Sequence, residues 1–191
     1  RLLPCLIDMK WNGVRVDLEK AGKIKKDLQK KEKIIMQQIK KETGVDVQIF
    51  AGTSIQKAFD KLSIPYEHTA TGKPKFDKNF LLTHKHPVAK MIVEARETNK
   101  ARTTFIDTII RHSHKGRIHA NINQMRSDEG GGTVTGRFSY SNPNLQQVPA
   151  RNKEIGPLIR SVFIPNEGCT WGSFDYSQQE PRVLVHYAAL T

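Results

Sequence analysis

The stretch Trp171-Gly-Ser-Phe-Asp-Tyr-Ser-Gln-Gln-Glu-Pro-Arg-Val-Leu-Val-His186 decides how the rest of the chain is read. Residues 170–174 read as a short apolar strand that delivers one carboxylate, Asp175, at its end. A polar turn follows, then a helical run with Val183, Leu184, Tyr187 and Ala188 as its apolar positions. Pro181 would interrupt a helix interior but is tolerated in a first turn, so the helix is predicted to begin near Gln178 or Gln179. A carboxylate at a strand end, beside the amides of a helix N-terminus, suits a metal ion and a phosphate together. Taken alone, an aspartate in this place more often caps the following helix.

Composition narrows the setting. The 191 residues suffice for one large domain or two small ones with cores of their own. No apolar run approaches the length of a membrane span, and no signal-peptide pattern opens the chain. Lys and Arg number 31 against 19 Asp and Glu, a formal charge of +12 that points to a polyanionic partner, with nucleic acid ahead of an acidic membrane. A solvated basic surface is the plainer alternative. Cys5 and Cys169 lie far apart and form no metal-type pair, which fits a reduced, cytoplasmic protein.

Along the chain, 2–16 reads as a short helix (Leu2, Leu3, Leu6, Ile7) ending at Asn12-Gly13, then an extended Val14-Arg15-Val16. Asp17 is a candidate N-cap for a helix over about 18–42, with Ala21, Ile24, Leu28, Ile35 and Ile39 on one stripe and many lysines elsewhere. Thr53 or Ser54 is expected to cap a short helix carrying Ile55, Ala58, Phe59 and Leu62. Residues 63–75 hold Pro65, Gly72 and Pro74 and read as loop. Asp77 caps another short helix, and Pro87 opens a long one with Val88, Met91, Ile92, Ala95, Arg102, Phe105, Ile106 and Ile109 at helical spacing. The two long helices are expected to pair antiparallel.

His84/His86 and His112/His114 have the spacing of ligand pairs, but without cysteines or acidic clusters they read as loop histidines. After Gly116 the period changes: 117–125 alternates like a strand, Glu129-Gly-Gly-Gly132 reads as a flexible connector, and 134–140 is extended. Without a Gly-Lys-Ser/Thr ending, those glycines do not make a phosphate loop. A short basic helix over 153–160 and strands at 162–164 and 169–174 complete the pattern.

Asp175-Tyr-Ser-Gln-Gln-Glu-Pro-Arg182 resembles motif A of family A DNA polymerases, the group of bacterial DNA polymerase I and its phage relatives. The bacterial form usually reads Asp-Tyr-Ser-Gln-Ile-Glu-Leu-Arg, and the departures at Gln179 and Pro181 are similar to phage members. A second block, Thr133-Val-Thr-Gly-Arg-Phe-Ser-Tyr-Ser-Asn-Pro-Asn-Leu-Gln-Gln-Val-Pro149, precedes it at the family's spacing and resembles Thr-Ala-Thr-Gly-Arg-Leu-Ser-Ser followed by Pro-Asn-Leu-Gln-Asn-Ile-Pro. Arg160-Ser-Val-Phe163 matches the family's Ile-Arg-Gln-Ala-Phe. The resemblance covers nearly the whole chain, most closely from Gly116 onward.

It implies an α+β fold: a lead-in segment at 1–16, a helical thumb of long antiparallel helices at 17–114, and at 115–191 the N-terminal part of an antiparallel-sheet palm with the motif A strand and helix. It also implies a DNA-directed DNA polymerase active in DNA replication, with primer–template DNA and dNTPs as partners. In such a reaction a primer 3′-hydroxyl attacks a nucleotide α-phosphate, assisted by two Mg²⁺ ions about 3.5–4 Å apart.

By resemblance Asp175 is the catalytic, metal-binding carboxylate and Tyr176 adds its carbonyl oxygen. Ser177, Gln178, Glu180 and Arg151 are expected at the dNTP, with Glu180 filling the space a ribose 2′-hydroxyl would need. Arg137, Asn144, Gln146 and Gln178 are expected at the DNA, with Arg137 in the minor groove, whose acceptors are nearly common to all base pairs. The plainer alternatives are a first-turn glutamate favoured by the helix dipole, turn capping for Asn144, and surface polarity for Gln146 and Arg151. Arg182 is expected to brace its helix.

Family members continue into fingers and a C-terminal palm that supplies a second metal-binding aspartate. These are expected to be absent from the chain, which alone is expected to be inactive and to need the remainder of the polymerase. A non-catalytic nucleic-acid-binding module, or a subunit of a split polymerase, is the alternative.

Overall fold

The computed structural model describes residues 2–126, 131–150 and 152–189. Helix α1 (Leu2–Asn12) buries Leu6 against the body, while Leu2, Leu3 and Ile7 stay exposed. It stops at Gly13, whose φ is +59° and where an added Cβ would meet the Ile118 carbonyl oxygen at 2.6 Å. Only glycine turns the chain that tightly into β1 (Val14–Arg15).

Asp17 then starts α2 (Leu18–Thr43): its backbone is extended and its carboxylate accepts the Lys20 amide at 2.8 Å. The stripe Ala21, Ile24, Leu28, Ile35 and Ile39 is buried as its period requires. Gly44 ends the helix in the left-handed region, donating its amide to the Lys40 carbonyl.

Helix α3 (Gly52–Lys61) buries Ile55, Ala58 and Phe59, but neither Thr53 nor Ser54 caps it. Ala51 holds the N-cap position, because the Ser54 hydroxyl is already engaged with the Gln48 amide at 2.9 Å. The expected loop at 63–75 contains a hairpin of β2 (Glu67–His68) and β3 (Pro74–Lys75), with Lys75 paired to Glu67 at 3.0 Å. Two-residue strands are too short to show alternation.

Asp77 caps α4 (Lys78–Thr83) by accepting the Phe80 amide at 2.8 Å. His86 caps α5 (Pro87–Lys100) through its ring, which accepts the Val88 amide. His84 Nδ1 accepts the His86 amide at 3.1 Å and its Nε2 lies 3.2 Å from the Pro65 carbonyl, which puts the ring proton on Nε2. At Ala101–Ile106 the last long helix passes through a π-helical turn before α6 (Asp107–His112), yet Ala101, Ile106 and Ile109 remain on the buried face.

Helix α2 runs antiparallel to α5–α6, with Lys31 at Glu94 (2.8 Å), Glu32 at Asn99 (2.7 Å) and Arg102 (3.1 Å), and Lys25 at Asp107 (2.7 Å). The pair holds two apolar cores end to end. One gathers Ile35, Ile39, Ile55, Phe59, Leu81, Val88 and Ile92, with Phe59 tilted on Phe76. Arg96 reaches over this core to donate to the carbonyls of Ile49 (2.6 Å) and Phe76 (2.7 Å), and burial pushes its guanidinium pKa down from the ordinary value. The other core gathers Ala21, Ile24, Leu28, Ile106, Ile109, Ile118, Ile159 and Val162.

Strands β4 (Ser113–His114) and β5 (Arg117–Ile118) join β1 in an antiparallel sheet of order β1-β5-β4. The single strand expected over 117–125 is broken at His119-Ala120, because β5 pairs with β1 and β4 while β6 (Asn121–Asn123) turns to pair with β7 (Ser139–Ser141). Of the extended run expected over 134–140, only its end enters that ladder. The connector expected over 129–132 lies partly outside the described residues. Phe163 makes one antiparallel bridge to Val16. Helix α7 (Ile155–Arg160) begins later than expected, since Asn152 Oδ1 accepts the Glu154 and Ile155 amides just before it. The strand expected at 169–174 is not formed: the segment has no ladder partner among the described residues. The last described element is α8 (Gln179–Ala188), which starts at the position Pro181 dictates.

The architecture is α+β, helices in the first part and small antiparallel sheets in the second. Among the described residues no helix is long and apolar enough to cross a membrane.

Glu32 and Arg102 each expose only 19% of their side chains. Glu32→Ala is expected to lower stability by about 2 kcal/mol in urea denaturation, because it removes the carboxylate that accepts from both Asn99 and the mostly buried Arg102 guanidinium, leaving Arg102 the longer 3.7 Å contact to Asp107. Phe59→Ala, at a fully buried position, is expected to cost about 3–5 kcal/mol by the same measurement.

Candidate catalytic and nucleic-acid-facing site

Asp175 lies in an exposed, irregular segment four positions before α8, and no hydrogen bond or ion pair engages its carboxylate among the described residues. Tyr176 beside it is exposed. Ser177 and Gln178 make the turn into the helix, with Gln178 in the left-handed region at φ 53° and at the N-cap position. Its side chain makes no capping bond, so first-turn amides of α8 face solvent. Arg182 folds back to donate from Nε to the Ser177 carbonyl at 2.9 Å, bracing the turn as expected. Glu180, in the first helical turn, forms an ion pair with Arg137. Two side chains expected at the nucleotide and at the DNA are thus brought together.

Arg137 sits in the turn before β7, where its carbonyl accepts the Thr133 hydroxyl at 2.7 Å. Asn144 caps the 3₁₀ turn Leu145–Gln147, accepting the Gln146 amide at 3.0 Å, so its turn-capping role is realised. Gln146 reaches back to donate to the Phe138 carbonyl at 3.0 Å. Those two bonds fix the 138–147 loop while both residues stay exposed. Arg151 lies outside the described residues.

The donor set at Asp175 fits magnesium in kind: a carboxylate and a neighbouring main-chain carbonyl are hard oxygen ligands. It fits only as a share of a site, since the described residues contain no group of three or more His, Cys, Asp or Glu able to hold a metal.

Basic charge is not spread evenly on α2. Lys23, Lys25, Lys31 and Lys40 are paired with Glu19, Asp107, Glu94 and Asp46. The Glu94 hydrogen bond chiefly raises the Lys31 pKa above its ordinary value. Lys26, Lys30, Lys33 and Lys41 have no acidic partner among the described residues and lie on the face away from the buried stripe. At helical rise they form a row about 22 Å long.

Two features escaped the sequence. Thr104, Thr108 and His112 line a cleft of ≈ 260 Å³ against Asn142 and Asn144, which no local pattern announces. Arg15 and Arg117 converge on the turn before Cys169, contacts between residues too distant in sequence for spacing to reveal.

The family model for DNA polymerase family A matches residues 18–190. A DNA-directed DNA polymerase of Pseudomonas phage M6 is 39% identical over 199 residues, covering 100% of this chain and 30% of that protein. DNA polymerase DpoZ of Salmonella phage PMBT28 is 36% identical, over 98% of this chain and 33% of its own length. Thermostable DNA polymerase I of Thermus filiformis is 32% identical, over 95% of this chain and 22% of its own. The chain therefore spans about a third or less of the relatives it matches. Among solved structures, the POL domain of Pol1 from M. smegmatis, in complex with DNA primer-template and dNTP, aligns with a TM-score of 0.72 and 26% identity over 85% of this chain and 28% of that one. With the matched span running from the first residue of α2 to beyond α8, and so holding both the helical half and Asp175, the chain belongs to DNA polymerase family A.

Proposed function

We propose that the chain forms the thumb (17–114) and N-terminal palm (115–191), after a lead-in segment, of a DNA-directed DNA polymerase acting in DNA replication. It binds primer–template and supplies one metal-binding aspartate for nucleotidyl transfer from dNTPs. The observation that carries this reading is Asp175: an exposed carboxylate with no partner among the described residues, held next to the unfilled N-terminus of α8.

Asp175 and the Tyr176 carbonyl would hold Mg²⁺. When bound, the ion lowers the pKa of the primer hydroxyl and neutralises charge on the departing pyrophosphate. Ser177 and Gln178, at the turn into α8, present a hydroxyl, an amide side chain and helix amides to phosphate oxygens. Arg151 adds a cation on the nucleotide side. Glu180 occupies the position that excludes a 2′-hydroxyl, and its ion pair with Arg137 restrains it. Arg137 keeps further N–H donors for minor-groove acceptors, while Asn144 and Gln146 flank the same duplex from their fixed loop. The unpaired row Lys26, Lys30, Lys33 and Lys41 lies along the phosphate backbone. The remainder of the polymerase is the protein partner. Free, exposed Cys5 and Cys169 support a reducing, cytoplasmic setting.

In the intact polymerase, Asp175→Ala is expected to abolish primer extension in a gel assay while duplex affinity holds. Persistent extension would remove Asp175 from the chemistry and leave the non-catalytic binding module as the better reading. Glu180→Ala is expected to raise ribonucleotide incorporation, scored by alkali-sensitive sites in the product. Replacing Lys26, Lys30 and Lys33 by Gln is expected to reduce the log–log salt slope of primer–template binding by about 2–3, near one per lost phosphate contact.

A further inference from the structure

Basic residues of the three-stranded sheet stand in register. Arg117 on β5 lies directly opposite Arg15 on β1 and, across its other edge, opposite His114 on β4. Residues so paired share a face, and Val16 and Ile118, one position along, are buried on the other. Like charges directly opposite each other cost stability. The hairpin turn joining β4 to β5 adds a further basic side chain. Its two central residues, Lys115 and Gly116, both have positive φ, at 48° and 75°. A turn of that kind favours asparagine or glycine, so the lysine stands there against local preference.

Arg15, Lys115 and Arg117 line one cleft of ≈ 500 Å³, and among the described residues Asp17 is the acidic side chain that lines it with them. The Asp17 carboxylate is turned to its helix, where it accepts the Lys20 amide at 2.8 Å. Both guanidiniums are held chiefly by neutral oxygens. Arg117 donates from Nη1 to the Asn12 carbonyl at 2.9 Å and from Nη2 to Asn166 Oδ1. Arg15 donates from Nη1 to the Pro165 carbonyl at 3.5 Å, and its ion pair with the exposed Glu167 is also 3.5 Å long. Neutral acceptors fix the direction of a guanidinium without cancelling its charge. Neither Arg117 nor Lys115 has an acidic partner among the described residues. Arg102 in the helical seam is the contrast, since Glu32 and Asp107 neutralise it.

We propose that this cleft is a second nucleic-acid subsite, taking backbone phosphates of one unpaired strand. It rests on the reading of the chain as part of a DNA polymerase, and not on the role of Asp175. A phosphodiester strand answers both features: its oxygens suit two guanidinium forks already aimed, and its charge relieves the repulsion along the row. The shape selects a single strand. A duplex presents its phosphates on a broad convex surface and meets only the rim of such a cleft. Leu18 also lines it, so Lys26, the first of the unpaired α2 lysines, lies about 12 Å further along the helix at helical rise. Paired and unpaired stretches of one nucleic acid can therefore engage the two places together.

The test uses the intact polymerase without divalent ions, so that no turnover occurs. Fluorescence anisotropy of labelled oligo(dT) and of blunt duplex is read over a range of salt concentrations. Lys115→Asn is the first variant, because asparagine suits the turn and keeps the hairpin folded. It is expected to lower the log–log salt slope for oligo(dT) by about 0.7, one phosphate contact on a single strand, while the melting temperature holds or rises. Adding Arg117→Gln is expected to bring the fall to about 1.4. The blunt-duplex slope is expected to stay as it was in both. An unchanged oligo(dT) slope in both variants would overturn the subsite, and so would an equal fall for oligo(dT) and blunt duplex. Inorganic pyrophosphate at matched ionic strength tests for a free anion: displacement of oligo(dT) from the parent but not from Lys115→Asn would assign the cleft to small anions and overturn the strand. The wider reading fails separately: if replacing Lys26, Lys30 and Lys33 by Gln leaves the duplex slope intact, the placing of duplex along α2 is lost, whatever the cleft variants do.

Discussion

The antiparallel packing of α2 on α5–α6 is the constraint on which the other elements depend. None of the three small sheets among the described residues buries enough apolar surface to stand alone, since their strands are two or three residues long. Ile118, Ile159 and Val162 reach a core only because Ala21, Ile24, Leu28, Ile106 and Ile109 present a continuous apolar wall. The same two helices carry Ile35, Ile39, Val88 and Ile92 to the opposite end, where α3 and α4 close over them. Between the cores the seam is polar: Glu32 accepts from Asn99 and Arg102, and Lys31 pairs with Glu94. Such a seam adds little net stability compared with an apolar filling, but it penalises any sliding of one helix along the other. Register along the helix pair fixes, in turn, where the sheet-bearing half attaches.

Charge is divided by the same helix. Lys25 and Lys31, beside the packing face, are held by carboxylates of α6 and α5, and Lys23 by Glu19 one turn back, whereas Lys26, Lys30, Lys33 and Lys41 on the outer face have no acidic partner among the described residues. A helix stabilising only itself would have interleaved acidic residues at i+4 on its outer face as well. Leaving Lys26, Lys30, Lys33 and Lys41 without them incurs some like-charge repulsion in the free protein. A polyanion lying along the row would relieve that repulsion, which is how the proposed DNA partner would draw on the net charge of +12.

Much of the helical half was legible in the sequence because its signals are local. The α2 stripe, Asp17 and Asp77 as caps and Pro87 at a first turn each act through neighbours within a turn or so. The sheet half was less so. A two-residue strand shows no alternation, and the break at His119-Ala120 reflects a change of partner that no window of sequence contains. Ser54 lost its capping role to competition from the Gln48 amide, again decided by the fold. The candidate site divides the same way. Motif spacing named Asp175, Glu180, Arg137, Asn144 and Gln146, but nothing in it shows Arg137 meeting Glu180, or two arginines gripping a turn about 50 and 150 positions further on.

Exposure suits the proposed role of Asp175 as a metal ligand. A metal ligand must be unengaged by protein donors, or it loses affinity for the ion; yet it must not wander, or the ion finds no fixed geometry. Burial would solve the second problem by worsening the first, since a desolvated carboxylate resists ionisation. Here the side chain is left open while the turn after it is braced: Arg182 donates to the Ser177 carbonyl at the start of α8, and Glu180 in the first helical turn meets Arg137. Asp175 itself remains exposed. That exposure leaves its oxygens unengaged, as the proposed metal-binding role requires.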